Sequence, residues 1–238
     1  MSTASSSSPS RMGEPVVLEP LNGRQARGTV IWSHRTLVWR SGLGDSAQGW
    51  LDFAETMRRR EALKGVRWVV TNAPEREVTV NRGDVMQAWY DITQPNTPPV
   101  AEDVNGMLES VRAIQGLVER EVEKGVREEK IVVGGFSHEK RLGGICVLSG
   151  FLALTHKDQI KPLVSPASAS TPIFWGHGTA DQAIHFSRAQ QGREYLRNGL
   201  KREEGEMFDF RKYEGMEHTL GSEELGDVVE WLEKVLKE

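Results

Sequence analysis

The sequence predicts one α/β domain with a mostly parallel sheet and helices on both faces of that sheet. Short apolar runs that suit buried strands alternate with amphipathic segments that suit helices. The length of 238 residues, of which 38% are hydrophobic, suits one large domain better than two small ones. The sequence contains no internal repeat, so a repeat architecture is not predicted. We expect residues 1–15 to form a disordered Ser-rich tail and residues 16–238 to form the domain.

The first half of the chain is predicted to form a strand, a helix, a second strand and a loop. GTVIWSH at 28–34 is a short apolar run typical of a buried strand. Residues 50–63 have apolar side chains at helical spacing and a basic RRR segment that suits the end of a helix. VRWVVTNAP at 66–74 predicts a second buried strand, which Pro74 ends. Residues 75–100 contain the breaker-rich TQPNTPP and are predicted to be a loop.

The second half begins with a long amphipathic helix and continues the alternation. Apolar residues recur at helical spacing from 101 to 124, and Gly125 is a typical residue after a helix end. The further predicted strands are 131–137, 146–154, 171–178 and 207–215. The further predicted helices are 185–198 and 222–237.

Composition limits the partners and the compartment. A net charge of −4 argues against nucleic acid as the main partner, and no apolar run approaches the ~20 residues that span a bilayer, so stable membrane insertion is not expected. The single cysteine, Cys146, excludes an internal disulfide and fits a reducing compartment. The N-terminal MSTASSSSPSRMGEP lacks the apolar region of a secretory signal. We expect a cytoplasmic protein, with the nucleus as the alternative.

Three predicted strands are followed by residues with complementary chemistry. Ser137 ends the third predicted strand, Asp181 follows the fifth and His218 follows the sixth. Functional groups gather at the carboxyl ends of parallel strands. A serine hydroxyl needs an imidazole to take its proton, and the imidazole needs a carboxylate to orient it. The order Ser, Asp, His along the chain is that of the α/β-hydrolases.

Each of these residues also has an ordinary structural explanation. Ser137 suits a turn or a helix N-cap, Asp181 suits an N-cap before 185–198, and His218 suits an exposed surface. His177, Asp181 and His185 are spaced four residues apart and would form a metal-binding face on one helix. The glycines beside His177 favour a turn there instead.

Two other features have simple interpretations. Cys146 lies between apolar neighbours and is predicted to be a buried core thiol. The charged run at 119–130 is predicted to be a solvated helix end.

Several motifs resemble those of the acyl-protein thioesterases, an α/β-hydrolase branch of the phospholipase/carboxylesterase type. The matching motifs are GLGDSAQGW (42–50), TNAPEREVTVNRG (71–83), AWYDI (88–92), IVVGGFS (131–137), GHGTAD (176–181) and YEGMEH (213–218). Together they extend over most of the chain from about residue 28 onward. The combination of all six is far more specific than GGFS alone.

The resemblance implies a site and a reaction. Ser137 would be the nucleophile, Asp181 the orienting acid and His218 the base. The further residues that the resemblance assigns are Leu43 and His138, whose N–H groups would form the oxyanion hole, and Trp89, which would line the acyl site. The implied reaction removes palmitoyl and other long acyl groups from protein cysteines through an acyl-enzyme, without a cofactor. A general carboxylesterase or lysophospholipase is the alternative.

Two departures from the family pattern fall on the catalytic segments. RTLVWRS at 35–41 interrupts the family's H-G-L-G-D, in the loop that would donate one oxyanion N–H. After Ser137 the family's glycine pair and following helix are missing, because only residues 138–145 separate it from Cys146. A helical crossover needs at least ~10–12 residues, so the strands before and after are not expected to be neighbours in an ordinary βαβ unit.

The missing helix predicts a loss of cover on the sheet, and the two departures together suggest two alternatives to an active hydrolase. We expect the buried faces of the two strands to lose their cover. An insertion and a deletion between intact motifs suggest a mis-spliced product of a working hydrolase gene. A pseudoenzyme that binds acyl chains without cleaving them is the other alternative.

Overall fold

A seven-stranded sheet runs through the residues that the structure, a computed structural model, describes: 12–33, 46–93, 103–134, 142–152 and 170–237. Its spatial order is β1-β3-β2-β6-β7-β8-β9. The strands are β1 (Val16–Leu18), β2 (Gly28–Ser33), β3 (Val66–Thr71), β6 (Ile131–Gly134), β7 (Gly144–Leu148), β8 (Ile173–Gly178) and β9 (Phe208–Tyr213). The pairing of β1 with β3 is antiparallel and all other pairings in this sheet are parallel. The predicted mostly parallel sheet is confirmed.

Helices cover both faces of the sheet. Within the described residues, the α-helices are α1 (Ala47–Arg58), α2 (Val104–Glu123), α3 (Phe186–Glu194) and α4 (Ser222–Val235). Side chains alternate between the two faces along each strand. On β2, Val30 and Trp32 belong to a core cluster with α1 and α4, whereas Ile31 belongs to a cluster with α2. Helix α3 packs on the same face as α2, over β7 to β9. Among the described residues, no helix is long and apolar enough to cross a membrane.

One predicted loop contains a hairpin. Strands β4 (Glu75–Val78) and β5 (Asp84–Gln87) pair antiparallel and form a sheet of their own. The turn between them places Arg82 and Gly83 at φ of 63° and 81°. The loop prediction for 75–100 is therefore wrong over this hairpin, and 94–102 lie outside the described residues. The alternating EREV and the turn-forming NRG indicate a hairpin, whereas the neighbouring TQPNTPP favours a loop.

The strands on either side of the Ser137 segment are neighbours, contrary to the sequence-based expectation. β6 and β7 pair in parallel, with Val132 opposite Gly144 and Gly134 opposite Cys146. Gly144, the first residue of β7, therefore lies opposite a residue two positions before the end of β6. Along the strand axis, the end of β6 and the start of β7 are only about 7 Å apart. Nine connecting residues can span about 30 Å, which exceeds the distance that this register requires. Residues 135–141, where the predicted loss of a helix falls, lie outside the described part of the chain.

The faces of these two strands keep their cover, so the predicted exposure is wrong. On the α2 side, Val133 is 0% exposed and Ile145 is 3% exposed. Leu142 is 2% exposed and packs in the same cluster as Val133 and Ile114 of α2. The Gly143 N–H donates to the carbonyl of Ile131 at 2.8 Å, which holds this segment against β6. Leu142 therefore supplies apolar contact on the α2 side of these strands.

The charged end of α2 is buried at one position. Glu121 is 2% exposed and accepts hydrogen bonds from Thr29 Oγ1 and Arg67 Nη1, both at 2.8 Å, and from Lys124 Nζ at 2.9 Å. This carboxylate links α2 to β2 and β3. The prediction of a solvated helix end is therefore wrong at Glu121, because a buried carboxylate is tolerated where several donors surround it.

Candidate active site

The structure describes half of the residues predicted for the site. Asp181, His218 and Trp89 lie in described segments. Leu43, Ser137 and His138 lie outside the described residues.

Asp181 and His218 lie on loops that follow two neighbouring strands. The loop after β8 and the loop after β9 are joined by backbone hydrogen bonds, from Thr179 N–H to Tyr213 O at 2.9 Å and from Ala180 N–H to Met216 O at 3.1 Å. The loops approach so closely that a Cβ on Gly178 would lie 2.1 Å from Met216 O. Glycine at 178 is therefore required by the close approach that brings the two loops together.

The Asp181 carboxylate is held from several directions. Oδ1 accepts hydrogen bonds from the N–H groups of Ala183 and Ile184 at 2.9 and 2.8 Å, and Oδ2 lies 2.7 Å from Nδ1 of His218. Burial raises the pKa of Asp181, but the hydrogen bonds from His218 and Ile184 and the nearby histidine charges hold that pKa below its usual value. Asp181 is therefore a buried carboxylate that stays ionised.

His218 has the orientation that a general base requires. Its side chain is 13% exposed, whereas the Asp181 side chain is 0% exposed. Because Nδ1 faces a carboxylate oxygen, that nitrogen carries the proton. In the neutral ring Nε2 is then the accepting nitrogen. This pair can take a proton from a hydroxyl at Nε2 and stabilise the resulting imidazolium.

The alternative interpretations of these two residues are not supported. Helix α3 begins after His185, so Asp181 is not its N-cap, and the Asp181 carboxylate accepts from loop N–H groups instead. His218 is mostly buried and bonded to a carboxylate, unlike an ordinary surface histidine.

His177 lies beside Asp181 and does not form a helical metal-binding face with Asp181 and His185. It is 0% exposed at the end of β8, whereas His185 is an exposed residue at the start of α3. Over the ranges that the structure describes, no group of three or more His, Cys, Asp or Glu side chains could hold a metal ion.

The strand that leads to Ser137 is fixed by β2. Ser33 Oγ donates to the carbonyl of Gly134 at 2.6 Å. A Cβ on Gly134 would lie 2.4 Å from Cε3 of Trp32, so the indole ring occupies the space that any larger residue would need. The end of β6 is therefore positioned by Trp32 and Ser33 at the end of β2.

Trp89 and Cys146 both lie in the core. Trp89 is 6% exposed and packs in the α2 cluster, and Ser110 Oγ donates to its carbonyl. Its side chain has core partners, and a part in acyl binding stays a prediction.

Cys146 is 1% exposed, and burial raises the pKa of its thiol well above the usual value, in agreement with the predicted core thiol.

Comparison with known proteins decides the family. The sequence profile of the Phospholipase/Carboxylesterase family matches residues 23–236. The chain belongs to this family. Members of the family are carboxylic ester and thioester hydrolases, and this chain is a hydrolase of that class. The predicted family, fold class and enzyme class are confirmed.

Individual relatives agree with the profile. The chain is 37% identical over 215 residues to acyl-protein thioesterase 1 of Yarrowia lipolytica, which covers 85% of this chain and 92% of the relative. It is 30% identical over 240 residues to acyl-protein thioesterase 1 of Debaryomyces hansenii, covering 94% and 97%.

Solved structures show the same fold. Arabidopsis thaliana SOBER1 superposes with a TM-score of 0.75 at 27% identity, covering 89% of this chain and 100% of that one. Acyl-protein thioesterase 2 of Zea mays superposes with a TM-score of 0.74 at 25% identity, covering 94% and 99%. The family fold is thus retained in the described residues of this chain.

Proposed function

We propose that this chain is a serine hydrolase of the acyl-protein thioesterase type, with Ser137 as nucleophile, His218 as base and Asp181 as orienting acid. The observation that carries the proposal is the 2.7 Å contact between His218 Nδ1 and the buried Asp181 Oδ2, at the carboxyl ends of adjacent parallel strands. The family membership and the relatives named acyl-protein thioesterase 1 support the choice of reaction.

In the first half of the proposed reaction, Ser137 Oγ attacks the carbonyl carbon of the acyl group while His218 Nε2 takes the hydroxyl proton. The tetrahedral intermediate collapses, and the bond between the acyl carbon and the cysteine sulfur breaks. His218 returns its proton to the leaving sulfur, which departs as a thiol. The backbone N–H groups of Leu43 and His138 are the proposed donors to the oxyanion.

In the second half, water attacks the acyl-enzyme while His218 Nε2 takes a proton from it. The second intermediate collapses, the fatty acid leaves, and His218 returns the proton to Ser137 Oγ. Asp181 stays ionised through both halves, because it stabilises the imidazolium and does not itself take the proton. The reaction consumes only water, so no cofactor takes part in it.

The proposed substrates are S-acylated proteins that carry a long chain such as palmitoyl. A general carboxylesterase on the same scaffold is the second candidate, because the family profile includes carboxylesterases and phospholipases. A substrate panel of palmitoyl-cysteine peptides, p-nitrophenyl esters and lysophosphatidylcholine distinguishes the candidates. A preference for the thioester peptide supports the first candidate, and a preference for oxygen esters supports the second.

A fluorophosphonate probe tests the nucleophile, since only an activated serine reacts with it. We expect the full chain to be labelled and the Ser137→Ala variant to remain unlabelled. Ser222→Ala, at an exposed serine that begins α4, is the matched control and should be labelled like the unaltered protein. Labelling of Ser137→Ala at the original rate would exclude Ser137. An unaltered chain that neither labels nor hydrolyses any substrate of the panel would exclude activity and leave the pseudoenzyme alternative.

A further inference from the structure

The Asp181 carboxylate is faced by a second histidine besides His218. Nε2 of His177 lies 3.4 Å from Asp181 Oδ2, on the oxygen that also contacts His218 Nδ1. We propose that His177 is a positioning residue for the hydrolase site: through its Nε2–H bond to the Ile184 carbonyl, it holds the 181–184 loop, and with it the Asp181 carboxylate, in the geometry that His218 requires. This inference rests on the proposed function, because it assigns His177 a part in the same reaction.

The proton on His177 can be placed from its hydrogen bond. Nε2 lies 2.8 Å from the carbonyl oxygen of Ile184. A carbonyl oxygen only accepts, so Nε2 must carry a hydrogen. This single N–H is engaged by the Ile184 carbonyl, and the 3.4 Å separation of Nε2 from Asp181 Oδ2 is an electrostatic contact with the carboxylate. His177 therefore acts as a fixed donor to the loop that follows Asp181.

Ile184 connects the two residues by a second route. Its carbonyl accepts from His177, and its own N–H donates to Asp181 Oδ1 at 2.8 Å. His177 thus holds the residue that in turn holds the other carboxylate oxygen. Loss of the His177 donor would leave the Ile184 carbonyl without that bond and would loosen the loop whose N–H groups hold Asp181 Oδ1.

The surroundings of His177 make this arrangement rigid. The ring is 0% exposed, and it packs against Phe186 of α3 with ring centroids 5.9 Å apart. On β9, Lys212 pairs with His177 in register, and its ammonium donates to the exposed carboxylate of Glu214 at 2.6 Å. The His177 ring thus combines an apolar contact with α3 and polar contacts with Asp181 and Ile184.

The test compares two substitutions of similar size at position 177. His177→Gln places an amide N–H near the original Nε2 position, whereas His177→Met removes the donor and keeps the volume. We expect His177→Met to lower kcat/KM about tenfold, mainly through kcat, and His177→Gln to restore most of it. His185→Gln, at an exposed histidine eight residues away, is the control and should leave kcat/KM unchanged.

A double-mutant cycle separates positioning from general destabilisation. If His177 acts through Asp181, then His177→Met should cost nothing further in a chain that already carries Asp181→Asn. An undiminished tenfold loss in that background would overturn the proposal. Equal losses in His177→Met and His177→Gln would also overturn it, since the donor would then be irrelevant.

A proton NMR measurement makes the test independent of turnover. The hydrogen between His218 Nδ1 and Asp181 should give a far-downfield resonance that is absent from His218→Gln. We expect this resonance in the unaltered chain and in His177→Gln, and its loss through faster exchange in His177→Met. An unchanged resonance in His177→Met would refute the positioning role. A chain without hydrolase activity that shows the expected pattern would refute the proposed function and leave the positioning of Asp181 by His177 established.

Discussion

Gly178→Ala should disable the site without removing any functional group. The added Cβ would lie 2.1 Å from the carbonyl oxygen of Met216 and 2.7 Å from its carbonyl carbon. Ordinary contact begins at 3.4 Å. The loop after β9 must therefore move by about 1 Å, and a misplacement of that size costs roughly 100-fold in rate.

The displaced atoms lie two residues before His218. The 2.7 Å contact between His218 and Asp181 spans the same two loops, so a shift of one loop stretches it directly. We expect kcat/KM for a p-nitrophenyl ester to fall about 100-fold in Gly178→Ala, with a smaller effect on KM. The melting temperature, measured in parallel, reports whether the fold is retained.

Gly226→Ala provides a matched control. Gly226 lies within α4, and a Cβ there would meet nothing within 4 Å. Because alanine favours a helix over glycine, we expect this variant to be stabilised by about 1 kcal/mol and fully active. If Gly178→Ala kept kcat/KM within twofold of the unaltered chain, the close approach of the two loops would not control the geometry of the site, and the reasoning would be refuted.

Two further predictions concern stability. Burial raises the pKa of Glu121, but hydrogen bonds from Lys124, Arg67 and Thr29 bring that pKa below its usual value. The carboxylate therefore stabilises the fold above the unfolded pKa of about 4.3, and this contribution is lost as the pH falls through the lower folded pKa. We expect Glu121→Gln to cost about 3 kcal/mol at pH 7 in urea unfolding and to show a weaker loss of stability below about pH 4.3 than the unaltered chain. An equal pH dependence in both proteins would contradict this. Gly125→Ala places a side chain at φ of 90° after α2, and we expect a cost of about 1–2 kcal/mol in thermal unfolding. An unchanged melting temperature would show that this backbone conformation is not strained.

The regular elements were predictable because their signals are local. Each of the six predicted strands and four predicted helices overlaps an observed element, since apolar periodicity reports which face of a segment is buried. Strand β1 and the β4–β5 hairpin were missed. The first is only three residues long, and the second lies beside a proline-rich segment that favoured a loop.

The loop that holds Asp181 was predictable only in part. The position of Asp181 and His218 after neighbouring strands followed from the motif order. The partners of the carboxylate did not, because two of them are backbone N–H groups, of Ala183 and Ile184, which any residue supplies. The glycines beside His177 indicated the turn, but only a metal-binding role was weighed for His177, since nothing in the sequence shows that its ring lies against the loop after Asp181.

The sequence by itself determined the α/β class, the family and the order in which Ser137, Asp181 and His218 follow their strands. These features reside in local periodicity and in short motifs, which can be recognised without knowing which strands are adjacent. Only the tertiary structure decided that β6 and β7 are direct neighbours, that Leu142 helps to cover the face between them, and that His177 faces the Asp181 carboxylate. Those contacts join segments separated in sequence or fixed by loop geometry, and they depend on strand register and backbone approach, which no single residue type encodes.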